Sequence, residues 1–517
     1  MPLTRHVATV GSGTLLSRLL AYARDAGMAA LLGAGPFSEA FFVVLQAVNF
    51  FRRLLAEGAL NGAFVPLWQN LRAGPDGEAN ADRFSRRALI TMMSVTGVLS
   101  LIGIVLAPYL IATIAPGFDG GRRQVAALFM VVVAPYGVLA GLVAVLAAAL
   151  NAENRVAAAA GSVVAFNLVM VAAVAAELVI HVTQFEVALG LAASIVAAGF
   201  LQLVIVATAW LVTGKRWQRP RRPQPDQTRA LFKRALPGLI AGGVPQLKLM
   251  AAAAIVSSSP AALSWLYYAN RLYELPLGVA SAAIAAVMVP RIAAGRRSGD
   301  DAYAAALSRA CEIALALALP AATGFGLLAK PIAGGLFEHG AFTANDTQAV
   351  ATALIAICSG LPGHVLEKWL GAASFAHEDT RTPMIAALTG LTVAIVAGAS
   401  LFPHFGYIGA AAAIALSGWV GAAVLGVTLL RRGWLRFDAD AARRLPRIAL
   451  ATAVMGLALA GGDWLSGALF PHAEATGAGR LAELGALVAL GLIVYAAALE
   501  IFGVVRLKAL IAGLSER

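Results

Sequence analysis

Charged residues are scarce in this chain of 517 residues. They make up 13% of the sequence, whereas hydrophobic residues make up 60% and the mean hydropathy is +0.80. A water-soluble domain needs more polar surface than this composition supplies. The formal net charge of +12 would indicate nucleic-acid binding in a soluble protein, and the low polar content excludes that function. The composition therefore predicts an integral membrane protein.

Cysteine, aromatic residues and enzyme motifs are also sparse or missing. The two cysteines, Cys311 and Cys358, lie in apolar runs without metal-ligand spacing, so we expect buried thiols. Aromatic residues make up 8%, and the 52 glycines are typical of closely packed membrane helices rather than of a barrel with aromatic girdles. The sequence has no G-x-x-x-x-G-K-[ST] loop and no H-x-x-x-H pair, which predicts no ATP use, no cofactor and no enzyme activity. The sequence also lacks a signal-peptide cleavage site, so we expect the first helix to remain part of the mature protein.

Apolar runs long enough to cross a membrane recur along the whole chain. A membrane helix needs about 20 mostly apolar residues, and about fourteen such runs occur. The fold class is therefore predicted to be all-α, with about fourteen transmembrane helices. The predicted spans are 6–32, 37–70, 88–115, 124–150, 156–180, 187–213, 235–257, 262–290, 303–328, 346–371, 383–402, 407–430, 446–467 and 481–505.

The distribution of Lys and Arg tests this span count independently. With the N-terminus placed in the cytoplasm, about 28 basic residues fall in segments on the cytoplasmic side and about four on the other side. A missed or invented span would reverse the bias of every later loop. The bias predicts a multi-pass protein of the cytoplasmic (inner) membrane with both termini cytoplasmic.

The sequence also contains an internal repeat. When the chain is laid over itself so that Pro36 falls on Pro260, the same offset places Val65 on Val289 and Pro66 on Pro290. Six spans separate the equivalents, so orientation is preserved and the repeat is parallel, a plan found in transporters with a substrate path between two lobes. The predicted domains are an N-terminal lobe of helices 1–6 (1–214), a basic cytoplasmic linker (215–234), a C-terminal lobe of helices 7–12 (235–436) and two further helices (437–517).

Seven basic residues fall inside predicted spans, where each would cost about 2.5–3.5 kcal/mol facing lipid at the midplane. They must line a cavity, pair or reach the interface. Acidic residues lie within or beside the same spans, so interhelical salt bridges are the structural alternative. The basic residues are Arg18, Arg24, Arg52, Arg53, Lys248, Arg271 and Lys368, and the acidic ones are Asp25, Glu39, Glu57, Glu274 and Glu367.

The spacing of these residues separates paired charges from freer ones. Asn49, Arg52, Arg53 and Glu57 share one face of the second span, where Arg53 and Glu57 form an i, i+4 pair that leaves Arg52 freer. Arg18 and Arg24 are about 240° apart on a regular helix, so both face one cavity only if the helix bends or unwinds. Clustered arginines suit an anion, and the guanidinium fork fits phosphate. We therefore predict an anion site formed by Arg18, Arg24, Arg52 and Arg271.

Six segments resemble the MurJ (MviN) family of bacterial lipid II flippases. They are SRLLAYARDAGMAALLGAG, EAFFVVLQAVNFFRRLLAEGALNGAFVP, APGF, LSWLYYANRLYELPLG, LFEHGAFTAND and DTRTP, which extend from the first helix to the eleventh. The resemblance implies the multidrug/oligosaccharidyl-lipid/polysaccharide (MOP) exporter fold. It implies a role in peptidoglycan synthesis, cell-wall biogenesis and cell shape, in which undecaprenyl-pyrophosphate-linked disaccharide pentapeptide (lipid II) moves from the inner to the outer leaflet. The last two helices would form a groove for the polyprenyl tail.

The resemblance also assigns residues. Arg18, Arg24, Arg52 and Arg271 match the family's cavity arginines, and supporting or gating positions match Asp25, Asn49, Arg53, Glu57, Glu274 and Lys368. Two positions depart from the pattern. Glu39 stands where Asp is more usual, which keeps the charge, and Asn270 replaces an Asp expected before Arg271, which removes a carboxylate beside that cation and makes the predicted cavity more positive.

The predicted mechanism is alternating access, in which Arg24, Arg52 and Arg271 hold the pyrophosphate while the lobes rock. The implied driving force is the membrane potential or a coupled cation, and the implied partners are lipid II, the membrane and the cell-wall synthesis machinery. The rival interpretation is a cation-coupled multidrug exporter, or an exporter of another polyprenyl-linked oligosaccharide, of the same superfamily. A drug exporter for cationic cargo needs buried carboxylates rather than arginines. The charge of the side chains that line the cavity therefore distinguishes the two interpretations.

Overall fold

The computed structural model describes residues 3–56, 59–180, 183–213, 226–284, 299–437, 439–469 and 477–504. Within these ranges the regular structure is helical and no strand occurs. In chain order the helices are α1 (Leu3–Leu32), α2 (Pro36–Ala56), α3 (Ala59–Arg72), α4 (Gly77–Val105), α5 (Ala107–Ile114), α6 (Gly120–Val133), α7 (Pro135–Ala152), α8 (Val156–Ile180), α9 (Gln184–Leu211), α10 (Thr228–Val256), α11 (Ala262–Ala283), α12 (Asp300–Leu327), α13 (Ala329–Phe337), α14 (Ala344–Cys358), α15 (Leu361–Ala376), α16 (Arg381–Arg431), α17 (Ala439–Leu469) and α18 (Gly477–Ile501).

The described helices confirm the all-α membrane fold. Nine are long and apolar enough to cross a membrane, with α6 and α7 counted as one, and α14 and α15 as another. One of the nine, α16, has 51 residues and a sharp kink at Gly406 (φ 55°), and it covers the eleventh and twelfth predicted spans. The spans outside these nine are the first, second, seventh and eighth, which carry six of the seven in-span basic residues. The four predicted spans that are missing from the nine apolar helices are therefore the ones that carry most of the in-span basic residues.

The internal repeat is visible in the helix boundaries. α6 begins at Gly120 and α14 at Ala344, while α1 ends at Leu32 and α10 at Val256. Both pairs are separated by the same interval as Pro36 and Pro260. Left-handed backbone recurs at that interval, at Asn154 (φ 60°) and Glu378 (φ 58°). Within the described residues, helix boundaries therefore recur at one interval in the two halves, starting with α1 in one and α10 in the other.

The first compact unit comprises residues 1–264 and 339–342. In it α1 packs along α8, α8 along α9, and α7 against α3, α4 and α9, while α10 packs against α2 and α3. Its core includes Phe64, Trp68 and Phe84. At one end Asp226 forms an ion pair with Arg87 (2.9 Å), whereas residues 215–225 of the predicted linker lie outside the described residues.

The second compact unit comprises residues 265–338 and 343–517. In it α15 packs along α16 and α12, and α17 packs along α18 and α12. Ion pairs hold the last two helices: Arg444 contacts Glu312 (3.4 Å) and Arg480 contacts Glu338 (2.8 Å). The two units are defined by compactness, and α10 belongs to the first of them. The predicted domains are defined by the internal repeat, which assigns α10 to the second half, and they stay a prediction.

Candidate functional site

A cavity of about 880 Å³ lies within the first unit, among α1, α2, α3, α7, α8 and α9. Two of the predicted arginines line it, Arg18 from α1 and Arg52 from α2. The remaining polar lining residues are neutral, and none of the described lining residues is acidic. The polar lining residues are Ser17, Arg18, Arg52, Asn61, Tyr136, Asn151, Ser162 and Gln202. The described lining of the cavity thus carries the positive charge expected of an anion site.

Arg52 is positioned by aromatic residues. Its guanidinium carbon lies 5.3 Å from the centroid of the Phe166 ring, and the Phe166 ring contacts the Tyr136 ring edge-to-face at 5.8 Å. A cation over a ring face is attracted to the ring quadrupole. Phe166 therefore helps to hold the side chain of Arg52 at the cavity lining.

Arg24 has a different position from the one predicted. It is 3% exposed and donates to Asp25 Oδ1 from Nε (2.9 Å) and Nη2 (2.7 Å), and from Nη1 to Asn167 Oδ1 (3.2 Å). Asn167 in turn donates to Ser17 Oγ (2.9 Å). α1 is continuous from Leu3 to Leu32 without unwinding between the two arginines, and Arg24 bonds to α8 instead of joining Arg18 in the cavity lining. Arg24 and Asp25 join α1 to α8 in this structure, and Arg24 is not among the described cavity-lining residues.

Glu39 lies in the first turn of α2, at the end of the helix opposite to Arg52 and Arg53. It is 1% exposed and accepts from Arg122 Nη1 (2.9 Å) and from the Leu263 backbone N–H (3.4 Å). Glu39 therefore joins three segments at one end of the unit. Asn49 and Arg53 are half-buried on α2, and the predicted partner of Arg53, Glu57, lies outside the described residues.

The second unit contains the other predicted residues. Arg271 pairs with Glu274 on α11 at 2.8 Å, as their i, i+3 spacing predicts, and its guanidinium lies 5.8 Å from the Tyr267 ring centroid. Asn270 is half-buried beside them. Lys368 on α15 donates to Ser281 Oγ (2.7 Å).

Sequence reasoning missed a hydrogen bond between α11 and α15. The Tyr273 hydroxyl lies 2.9 Å from His364 Nδ1, and Tyr273 is 3% exposed. The two residues are 91 positions apart, so no local spacing pattern connects them. Only the internal repeat relates His364 to the cavity lining, since its equivalent in the first half is Ala140.

Two reciprocal hydrogen bonds donated by backbone N–H groups were also missed. The Gly117 N–H donates to Ser257 Oγ (2.9 Å) beyond the end of α10, and the Ala341 N–H donates to Ala30 O (2.7 Å) near the end of α1. Residues 117 and 341 are repeat equivalents, as are α1 and α10. The loop of each half therefore contacts the first helix of the other half. The APGF and HGAF segments carried a signal for this in their matching small residues and phenylalanines.

Ionisable groups outside the spans are held in their charged form by capping bonds. The Arg122 backbone N–H and guanidinium hold the pKa of Asp119 below its usual range. Partial burial opposes ionisation of Asp379, but hydrogen bonds from Thr382, Arg432 and the Arg381 N–H lower its pKa to about 2.

Both cysteines are buried, as predicted. The described residues contain no group of three or more His, Cys, Asp or Glu residues that could hold a metal ion.

Comparison with known proteins agrees with the fold and with the sequence motifs. Residues 28–472 match the family model described as "Lipid II flippase MurJ". A relative from Rhizobium meliloti (strain 1021), named "Probable lipid II flippase MurJ", is 37% identical over 96% of this chain and 93% of its own length. Among solved structures, "Lipid II flippase MurJ, inward closed conformation" covers 95% of this chain and 98% of its own with a TM-score of 0.80 at 21% identity. An inward-facing multidrug resistance MATE family transporter covers 80% and 94% with a TM-score of 0.64 at 14% identity.

Proposed function

The chain belongs to the MurJ family of lipid II flippases, and we propose that the arginine-lined cavity of its first unit receives the pyrophosphate of the lipid-linked cell-wall precursor. The observation that carries this proposal is the charge of the cavity lining: Arg18 and Arg52 project into about 880 Å³ whose other described lining residues are neutral. A cationic cavity wall inside a membrane protein is best compensated by an anion in the cavity.

The chemistry of the pyrophosphate fits these side chains. Each guanidinium presents a planar fork of donors that matches two phosphate oxygens, and the charge is kept at any physiological pH. Asn61, Asn151 and Gln202 add neutral donors and acceptors that suit the hydroxyl and amide groups of a sugar-peptide head group. Neutralising the anion inside the cavity lowers the desolvation penalty of moving it through the bilayer.

The transport cycle that we propose is alternating access. Both termini face the cytoplasm of the bacterial inner membrane, the head group enters from that side, and the polyprenyl tail stays in the bilayer along α17 and α18. Arg271 is a further anion-binding residue of this proposal and belongs to the second unit, whereas Arg24 is available to an anion only if its bonds to Asp25 and Asn167 open. The membrane potential or a coupled cation drives the cycle, since one charge crossing the field is worth about 2.3 kcal/mol per 100 mV. Enzymes of cell-wall synthesis are the expected protein partners.

Substitution of Arg52 tests the anion site. Arg52→Ala should abolish growth of bacteria that depend on this chain for flipping, and Arg52→Lys should impair it because a point charge replaces a fork. The exposed Arg86 on α4 provides a matched control, since α4 contributes no residue to the described cavity lining and Arg86→Ala removes the same charge elsewhere. Normal growth with well-expressed Arg52→Ala would overturn the proposed role.

Binding to undecaprenyl pyrophosphate separates a binding defect from a folding defect. We expect Arg52→Ala to weaken this binding by at least tenfold, as for the loss of a charge-assisted contact worth about 1.5–3 kcal/mol, with unchanged elution of the purified protein. A cationic drug should not compete. Competition by such a drug would favour the drug-exporter alternative, which requires acidic lining residues that the described part of the cavity does not have.

A further inference from the structure

Tyr136 lines the cavity of the first unit, and the proposed function gives it no role. It is the second residue of α7 and is 2% exposed. Among the described residues its hydroxyl makes no hydrogen bond. The hydroxyl oxygen is also not one of the fully buried polar atoms that lack a partner, so it reaches the surface of a cavity that the residue lines. A group bound there can accept its hydrogen bond.

The ring of Tyr136 is held by two neighbouring helices. It contacts the Phe166 ring of α8 edge-to-face, with the two centroids 5.8 Å apart. A Cβ atom at Gly199 of α9 would lie 2.6 Å from the Cδ2 atom of the tyrosine ring, so the α9 backbone passes close to one ring edge. These two contacts fix the orientation of the ring. The hydroxyl oxygen therefore has a defined position within the first unit.

The hydroxyl belongs to the same part of the cavity as Arg52. The guanidinium carbon of Arg52 lies 5.3 Å from the centroid of the Phe166 ring, so Tyr136 and Arg52 contact the same phenyl ring. The Tyr136 hydroxyl also interacts electrostatically with Arg52. The helices that hold the tyrosine ring, α8 and α9, contribute Ser162 and Gln202 to the cavity lining. A neutral donor and a cationic donor are thus available to one ligand.

Tyr136 also borders a second, smaller pocket of about 60 Å³ between α2, α4, α6 and α7. Most of its lining is apolar, and its two other hydroxyl groups already donate within the protein: Thr96 to Met92 O (2.7 Å) and Ser100 to Ala134 O (2.8 Å). The described lining of this pocket therefore offers a polar ligand no other side-chain donor. A polar ligand of Tyr136 is expected on the side of the arginine-lined cavity.

We propose that the Tyr136 hydroxyl donates a hydrogen bond to a phosphate oxygen of the head group bound beside Arg52. The proposal rests on the proposed function, since it needs an anion in this cavity. A hydrogen bond from a hydroxyl to an anionic oxygen is charge-assisted and short, and it is stronger than one between neutral groups. The phenol adds no charge of its own, so Tyr136 strengthens anion binding without making the cavity wall more positive.

The test is binding of undecaprenyl pyrophosphate by the full-length protein in detergent, compared between wild type and Tyr136→Phe. Phenylalanine keeps the ring and its contacts with α8 and α9 and removes only the hydroxyl. The loss of a hydrogen bond to a charged group predicts an affinity about 10- to 150-fold lower. Because the hydroxyl has no hydrogen-bond partner among the described residues, the midpoint of thermal denaturation should not fall. Undecaprenol, which has the same chain without phosphate, should bind both proteins equally.

The matched control is Tyr109→Phe, which removes a hydroxyl at an exposed position on α5, a helix without a residue in the described cavity lining. It should bind undecaprenyl pyrophosphate like wild type. Equal binding of undecaprenyl pyrophosphate by wild type and Tyr136→Phe overturns the role of the hydroxyl and leaves the proposed function intact. A lower denaturation midpoint of Tyr136→Phe, or an equal loss of undecaprenol binding, also overturns it, because the hydroxyl would then act through the fold or on the chain. Absence of pyrophosphate-dependent binding in wild type overturns both proposals.

Discussion

Replacing Gly117 by alanine tests how closely the APGF loop packs against the chain after α10. A Cβ atom at Gly117 would lie 2.5 Å from the Ser258 Cα and closer still to the Ser258 N. Both are backbone atoms, so no side-chain rotation can relieve the overlap. Overpacking of this kind costs about 1–3 kcal/mol, which corresponds to about a 5- to 150-fold change in the population of the packed arrangement.

A buried thiol can report that population. Ser264 is fully buried and its hydroxyl lies 3.0 Å from Ser38 Oγ, so Ser264→Cys provides a reporter once both native cysteines are replaced by serine. Its labelling rate with a water-soluble maleimide follows the opened fraction when opening is fast. We expect Gly117→Ala to raise this rate about 5- to 150-fold. The matched control is Gly120→Ala, where an added Cβ meets no atom within 4 Å; equal labelling of the Gly117→Ala and parent proteins, or an equal rise in the control, would refute the reasoning.

Two other predictions concern charges that the structure pairs. Asp25→Asn leaves the buried Arg24 without its carboxylate, which should cost about 3–5 kcal/mol and appear as a lower midpoint of thermal denaturation; replacing both residues by leucine should recover part of it, and no recovery would argue against an ion-pair penalty. Because the pKa of Asp379 in the folded protein is about 2, below about 3.9 in the unfolded chain, its stabilising contribution is present above about pH 4 and is lost as the pH falls towards 2. Denaturation midpoints of wild type and Asp379→Asn should therefore converge on acidification, and a constant difference between them would contradict this.

The fold class was predictable from sequence because membrane helices are marked by local features of the chain, and these features recur in both halves. Apolar runs indicate the spans, and the bias of Lys and Arg predicts their orientation across the membrane. The exact helix breaks were not predictable, because they depend on local packing. The second predicted span is interrupted between α2 and α3, and the eleventh and twelfth spans join into α16 through the kink at Gly406. A glycine with positive φ permits such a joint, but a sequence with 52 glycines does not indicate which one does so.

The candidate site was predictable in residue type but only partly in geometry. Helical spacing correctly paired Arg271 with Glu274, since both lie on one helix. Helical spacing could not predict the contact between Arg24 and Asn167, because Asn167 lies 143 residues further along the chain. The spacing argument did contain the relevant condition: a continuous α1 sends Arg18 and Arg24 to different sides, and the structure has a continuous α1.

The two halves of the chain repeat their helices but not their chemistry, and this difference follows from what each requires. Close packing needs small residues at fixed positions, and the equivalent loops carry Gly117 and Ala341, of which Gly117 leaves no room for a Cβ atom. α7 presents Ala140, Val143 and Ala144 to the cavity of the first unit, whereas α15 carries His364, Glu367 and Lys368 at the equivalent positions. The repeat of the helices therefore does not extend to the side chains on these two faces.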